Sequence, residues 1–130
     1  MTRDELVTHW RESAEDNYRS MLNMFNSGEY VWSLFVGHLC IEKMLKACYV
    51  QTVDTTVPRI HDLYKLADRC GLEMTEEQKD ALQYVNLFNI EARYEEYKRE
   101  FHRKCTKAFA AKSIATIEEL RSWLLKKTNS

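Results

Sequence analysis

Residues 30–50 read YVWSLFVGHLCIEKMLKACYV. The first two-thirds of this run place apolar side chains on nearly every helical face, and a helix apolar almost all round must be enclosed by other elements. The second half turns amphipathic. Leu34, Ile41, Leu45 and Cys48 follow the helical period, while Glu42 and Lys46 form an acid-before-base pair at i,i+4 on another face. The run is too long for one strand and carries no internal turn signal, so it predicts the central helix of an all-α bundle.

The flanking segments agree. Val7, Trp10, Ala14, Tyr18, Met21 and Phe25 recur at three- and four-residue spacing and predict a first helix over 4–26, with Asn26-Ser27-Gly28 as its stop. So short a turn makes helices one and two antiparallel neighbours. Helix two is expected over 29–52. Gly37 inside it costs about 1 kcal/mol against Ala, which is expected to be offset by the close approach of a neighbouring helix. Residues 52–59 form a β-branched, polar connection ending in Pro58. A short amphipathic helix follows over 60–70, with Asp62 near its start and Gly71 as its stop. Thr75-Glu76-Glu77-Gln78 is a capping box that opens a fourth helix reaching residue 88 or 90. The last helix is expected over 106–126, with a frayed tail at 128–130.

Composition narrows the class. The chain has 130 residues, enough for one domain with its core over about 4–126. Three Gly and one Pro leave little for hairpin turns. A net charge of −1 gives no global attraction to nucleic acid or anionic membranes, so any polyanion site must be a local patch. Cys40, Cys48, Cys70 and Cys105 form no CxxC pair and read as reduced core thiols. The N-terminal residues lack a signal-peptide apolar core, and no run approaches the ~20 apolar residues of a membrane span. A cytoplasmic protein is expected.

Three constellations could carry chemistry. His38 and Glu42, four apart, could face one metal ion, but no second such pair completes a ligand set. They are expected to be a hydrogen-bonded, partly buried pair, and no metal or cofactor is expected. His61-Asp62 opens the third helix: Asp62 suits a cap, and His61 could orient a loop, hold a phosphate or act as a base. The stretch 91–104, EARYEEYKREFHRK, interleaves five basic and four acidic residues with aromatics. It reads as helix extension or irregular linker, with a break near 93–95. Arg93, Tyr94, Lys98, Arg99, His102, Arg103 and Lys104 could neutralise phosphates and stack on bases. The interleaved Glu91, Glu95, Glu96 and Glu100 weaken that reading and favour a solvated face laced with i,i+4 pairs.

The order of these features resembles the HEPN family (higher eukaryotes and prokaryotes nucleotide-binding domains). Ile41-Glu42-Lys43-Met44-Leu45-Lys46-Ala47 on a packed second helix is followed by a proline loop, then His61-Asp62-Leu63-Tyr64-Lys65-Leu66, then Ala92-Arg93-Tyr94 and a final helix. The resemblance implies a four- to five-helix up-and-down bundle that forms a homodimer. It also implies a small nucleotidyltransferase partner in a toxin–antitoxin-like module, with nucleotide or RNA as ligand. On this reading Arg93, Lys98, Arg99 and Arg103 supply positive charge, Tyr94 a stacking surface, and His61 reaches the same cleft if the third helix starts beside it. Family ribonucleases carry Arg, four to six residues, then His at a dimer cleft. Here eight residues separate Arg93 from His102 and two separate Arg99 from His102. Arg3 and His9 have the bare spacing, but at the wrong end of the chain. Binding is therefore expected ahead of catalysis; the alternatives are a metal-independent ribonuclease, with Arg99 and His102 as its candidates, and a non-enzymatic dimeric interaction scaffold.

Overall fold

The computed structural model describes residues 1–128. Six helices follow in order: α1 (Arg3–Asn26), α2 (Tyr30–Thr52), α3 (Leu63–Arg69), α4 (Glu76–Arg93), α5 (Glu95–Lys104) and α6 (Lys107–Thr128). Four long helices make the bundle, and the short α3 and α5 complete it. No strand occurs among the described residues.

Helix α2 is the axis. It packs against α1, α3, α4 and α6, and twelve of its residues are buried. Leu34, Cys40, Ile41 and Leu45 share one core with Met21, Leu66, Leu82, Val85, Phe88, Ile117 and Leu124 from the surrounding helices. The expected close approach lies at Gly37. A Cβ there would sit 2.5 Å from Ile117 Cδ1 on α6 and 2.8 Å from Met21 Sδ on α1. Ser33 Oγ donates to the Met21 carbonyl at 2.8 Å, tying α2 to α1 one turn earlier.

Local signals set the boundaries. Thr2 caps α1 in a capping box with Glu5, and Thr75 caps α4 with Gln78. Gly28 and Gly71 take the left-handed φ of 83° and 73° that ends α1 and α3. Asp62 caps α3 through the Lys65 amide, so the helix begins at Leu63 rather than residue 60. Helix α4 runs past residue 90 to Arg93. The break falls at Tyr94, extended at φ −91° and ψ 129°, and α5 resumes at once. Burial of Phe101 against Phe88, with ring centroids 5.9 Å apart, draws α5 back onto the bundle. Thr128, expected in a frayed tail, is buried and donates its hydroxyl to the Leu124 carbonyl. The rest of that tail, 129–130, lies outside the described residues.

Polar ties join distant elements. Arg121 on α6 pairs with Glu15 on α1 at 2.6 Å and stacks 3.9 Å over the Tyr18 ring. The Tyr18 hydroxyl donates to Glu118 at 2.6 Å, which raises its pKa. His38, fully buried on α2, donates from Nε2 to the His61 carbonyl at 3.1 Å and so holds the α2–α3 connection. All four cysteines are buried and free. No helix is long and apolar enough to cross a membrane among the described residues.

The packing at Gly37 can be tested directly. Gly37→Val should cost about 1–3 kcal/mol by overpacking, read as a lowered urea midpoint. Gly37→Ala should be close to neutral, because the crowding atoms are flexible side-chain ends and Ala regains about 1 kcal/mol of helix propensity. A second test concerns pH. Desolvation pulls the His38 pKa down from 6.5, outweighing the Glu42 charge that raises it. The unfolded chain therefore binds this proton more readily, and stability should fall as pH drops below about 6.5 until the lowered native value is passed. His38→Gln keeps a donor for the His61 carbonyl but cannot titrate. Urea midpoints measured from pH 7.5 to 5 should decline less steeply in that variant than in the wild type.

Candidate functional site

Charge is sorted along α5. Glu95 and Glu96 occupy its first turn, and His102, Arg103 and Lys104 its last, the distribution that complements a helix dipole. The cationic half does not face open solvent on all sides. Lys98, Arg99, His102 and Arg103 line one wall of a cleft of about 930 Å³. The opposite wall is the α1–α2 turn and first turn of α2, from Gly28 to Trp32, and Ala92 and Cys105 are also part of the lining. Glu29, Glu95 and Glu96 are on the lining too. Lys98 is held to Glu95 at 3.4 Å. Arg99 and Arg103 have no carboxylate within ion-pair distance among the described residues. Tyr30 and Trp32 bring aromatic surface to the cleft, and Trp32 stays 44% exposed.

A second polar locus is built from three elements. Glu42 on α2 is buried, yet its Oε1 accepts from His61 Nδ1 at 3.1 Å and its Oε2 from Lys46 Nζ at 2.9 Å. The His38–Glu42 pair expected to share a hydrogen bond does not: His38 Nδ1 and Glu42 Oε1 are 3.9 Å apart, and His38 Nδ1 has no hydrogen-bond partner. Both residues instead clasp the segment that leads into α3, Glu42 by the His61 ring and His38 by the His61 carbonyl. On α4, Asn86 accepts from the Leu63 amide at 2.8 Å and donates to Asp62 at 3.0 Å. Further along α4, Asn89 accepts from Arg93 at 3.1 Å. Arg93 lies close enough for its charge to disfavour protonation of His38.

The expected site residues thus fall into two groups. Lys98, Arg99, His102 and Arg103 share the cleft, whereas Arg93, Tyr94 and His61 are not in its lining. The last turn of α4 borders the cleft through Ala92, and Arg93 is held by Asn89 one turn back. Arg3 and His9, at the start of α1, take no part in the cleft. Sequence reasoning missed Tyr30, Trp32, Asn86 and the Glu42–His61 contact. Asn86, Asn89 and Arg93 recur at helical spacing on one face of α4, a polar stripe that could have pointed to the second locus. A smaller crevice of about 280 Å³ between α1 and α6 is lined by Glu15 and Arg121, which already neutralise each other. No cluster of three or more metal-ligating side chains occurs among the described residues.

The fold is that of a known structure. The crystal structure of TT1696 from Thermus thermophilus superposes with a TM-score of 0.79, over 93% of this chain and 97% of that one, at 19% identity. No curated protein sequence matches the chain. The HEPN domain model matches residues 7–128, nearly the whole length, and the chain therefore belongs to the HEPN domain family.

Proposed function

We propose that this HEPN protein binds a nucleotide or a polynucleotide phosphate in the α5 cleft. One observation carries the reading: two guanidinium groups without carboxylate partners, Arg99 and Arg103, stand across a cleft from the aromatic side chains of Tyr30 and Trp32. Guanidinium forks match phosphate oxygens, and rings opposite them offer a stacking surface for a base. The cleft volume is within the range of small-molecule sites. Arg93 and Tyr94 sit between Ala92 and Glu95 of its lining, whereas His61 lies outside it. The exposed side chains of Leu87, Ile90, Tyr94 and Tyr97 offer apolar surface for a homodimer contact. The HEPN resemblance supports a small nucleotidyltransferase as partner, in a toxin–antitoxin-like module.

Ribonuclease activity is the second reading. The observation that favours it is His102, one helical turn from Arg99 on the same wall. An imidazole for proton transfer beside a guanidinium for phosphorane charge is a workable pair without a metal.

The Arg99→Glu/Arg103→Glu double variant should lose at least tenfold in AMP affinity by titration calorimetry, with an unchanged melting temperature. Undiminished binding would remove α5 from the site. A labelled RNA should remain intact with the wild type; cleavage that disappears in His102→Ala would establish the second reading instead. Binding to single-stranded RNA should weaken steeply with salt, and the slope should flatten in the double variant as phosphate contacts are removed.

A further inference from the structure

Two of the four free thiols meet where α3 ends against α2. Cys48 lies near the end of α2, and Cys70 is the C-cap of α3. Cys70 Sγ donates to the Leu45 carbonyl of α2 at 3.4 Å. Helical side chains tilt back toward the N-terminus, so the side chain of Cys48 lies over the carbonyls one turn earlier, where Cys70 Sγ sits. The two sulfurs are accordingly hydrogen-bonding neighbours. The Cys70 S–H pulls the Cys48 pKa down, against the burial that pushes it up, while the same bond and then burial raise that of Cys70. Cys40 and Cys105 differ. Burial pushes them up to about 12 and about 11, and neither has a second thiol acting on it among the described residues.

We propose that Cys48 and Cys70 are a redox modification site, at which a peroxide joins the two sulfurs in a disulfide that ties α3 to α2. Thiolate attack is the first step. Cys48 sulfur attacks one peroxide oxygen; the S–O bond forms, the O–O bond breaks, and the departing hydroxide leaves as water with the thiol proton. Cys70 sulfur then attacks the Cys48 sulfenic acid. The S–S bond forms, and the expelled hydroxide takes the Cys70 proton. One peroxide is reduced to two waters while two thiols are oxidised. Access comes from α3, which has only seven residues and is followed by the left-handed Gly71. Helix α3 packs on α2 and α4 alone of the long helices, and so small a unit can open without unfolding the bundle. Cys70 is already 8% exposed, against 0% for Cys40. The cross-link closes a loop that holds Pro58, His61 and all of α3. Oxidation therefore hardens the α2–α3 connection, independently of whatever the α5 cleft binds.

The test treats the reduced, folded protein with hydrogen peroxide, then unfolds it and alkylates it with iodoacetamide. Intact mass should show two labels in place of the four that the untreated chain takes up. A protease map without reductant should join the peptides carrying Cys48 and Cys70. Cys48→Ala and Cys70→Ala should each form no internal disulfide, whereas Cys40→Ala should behave as the wild type. The oxidised wild type should melt at least about 5 °C above the reduced form, because the closed loop restricts the unfolded chain, and a reductant should reverse the rise. Four labels after peroxide overturn the proposal. So do a cross-link that includes Cys40 or Cys105, one that joins two chains, and a disulfide that leaves the melting temperature unchanged or lowers it. The wild-type map decides the pairing even where a variant fails to fold.

Discussion

Everything in this molecule is arranged around keeping α2 out of water. A helix with apolar groups on nearly all faces can be accommodated only when neighbours enclose it, and here α1, α3, α4 and α6 do so. At Gly37 the enclosure leaves no free space for a side chain. The missing side chain lets Ile117 and Met21 close over the α2 backbone. The turn at Gly28, the short α3 and the return of α5 are consequences of wrapping one central rod with a chain of this length.

Polar groups on that rod are tolerated where a second element satisfies them. Ser33 reaches the Met21 carbonyl, and His38 reaches the carbonyl of His61. Glu42 is shared between Lys46 and His61. These buried side chains, together with Asn86 on α4, fix the α2–α3 connection. The same enclosure that makes the core therefore gives the surface its most firmly held imidazole.

Periodicity makes the helices legible, and capping chemistry makes their ends legible. The apolar stripes of α1, α4 and α6 are visible as three- and four-residue repeats, and Thr75, Gly28 and Gly71 mark boundaries by local rules that need no tertiary context. The HEPN resemblance follows from motif order along the chain, and the family match bears it out. The start of α3 departs from the apolar pattern because Asp62 caps it, which removes Ile60 and His61 from the helix. Spacing alone shows Glu42 and Lys46 as an i,i+4 pair. The pair forms, but under the loop that carries His61, and nothing in the spacing of α2 reveals what will cover it. The break at Tyr94 can be placed by the density of charge and aromatics. The cleft cannot, because its second wall comes from the α1–α2 turn, far earlier in the chain.

The Tyr94 break leaves α5 in an unusual position. No side chain caps the helix at its start, and Phe101 is its one buried residue. With so little apolar surface holding it, α5 can open at a fraction of the free energy needed to unfold the bundle. The cleft wall is thus held by far less buried apolar surface than the axis of the molecule. Amide hydrogens along α5 would exchange far sooner than those of α2, and any molecule bridging Arg99 and Arg103 to the first turn of α2 would act as a splint. Occupancy of the cleft would then be registered as rigidity along one helix, with the rest of the bundle left unmoved.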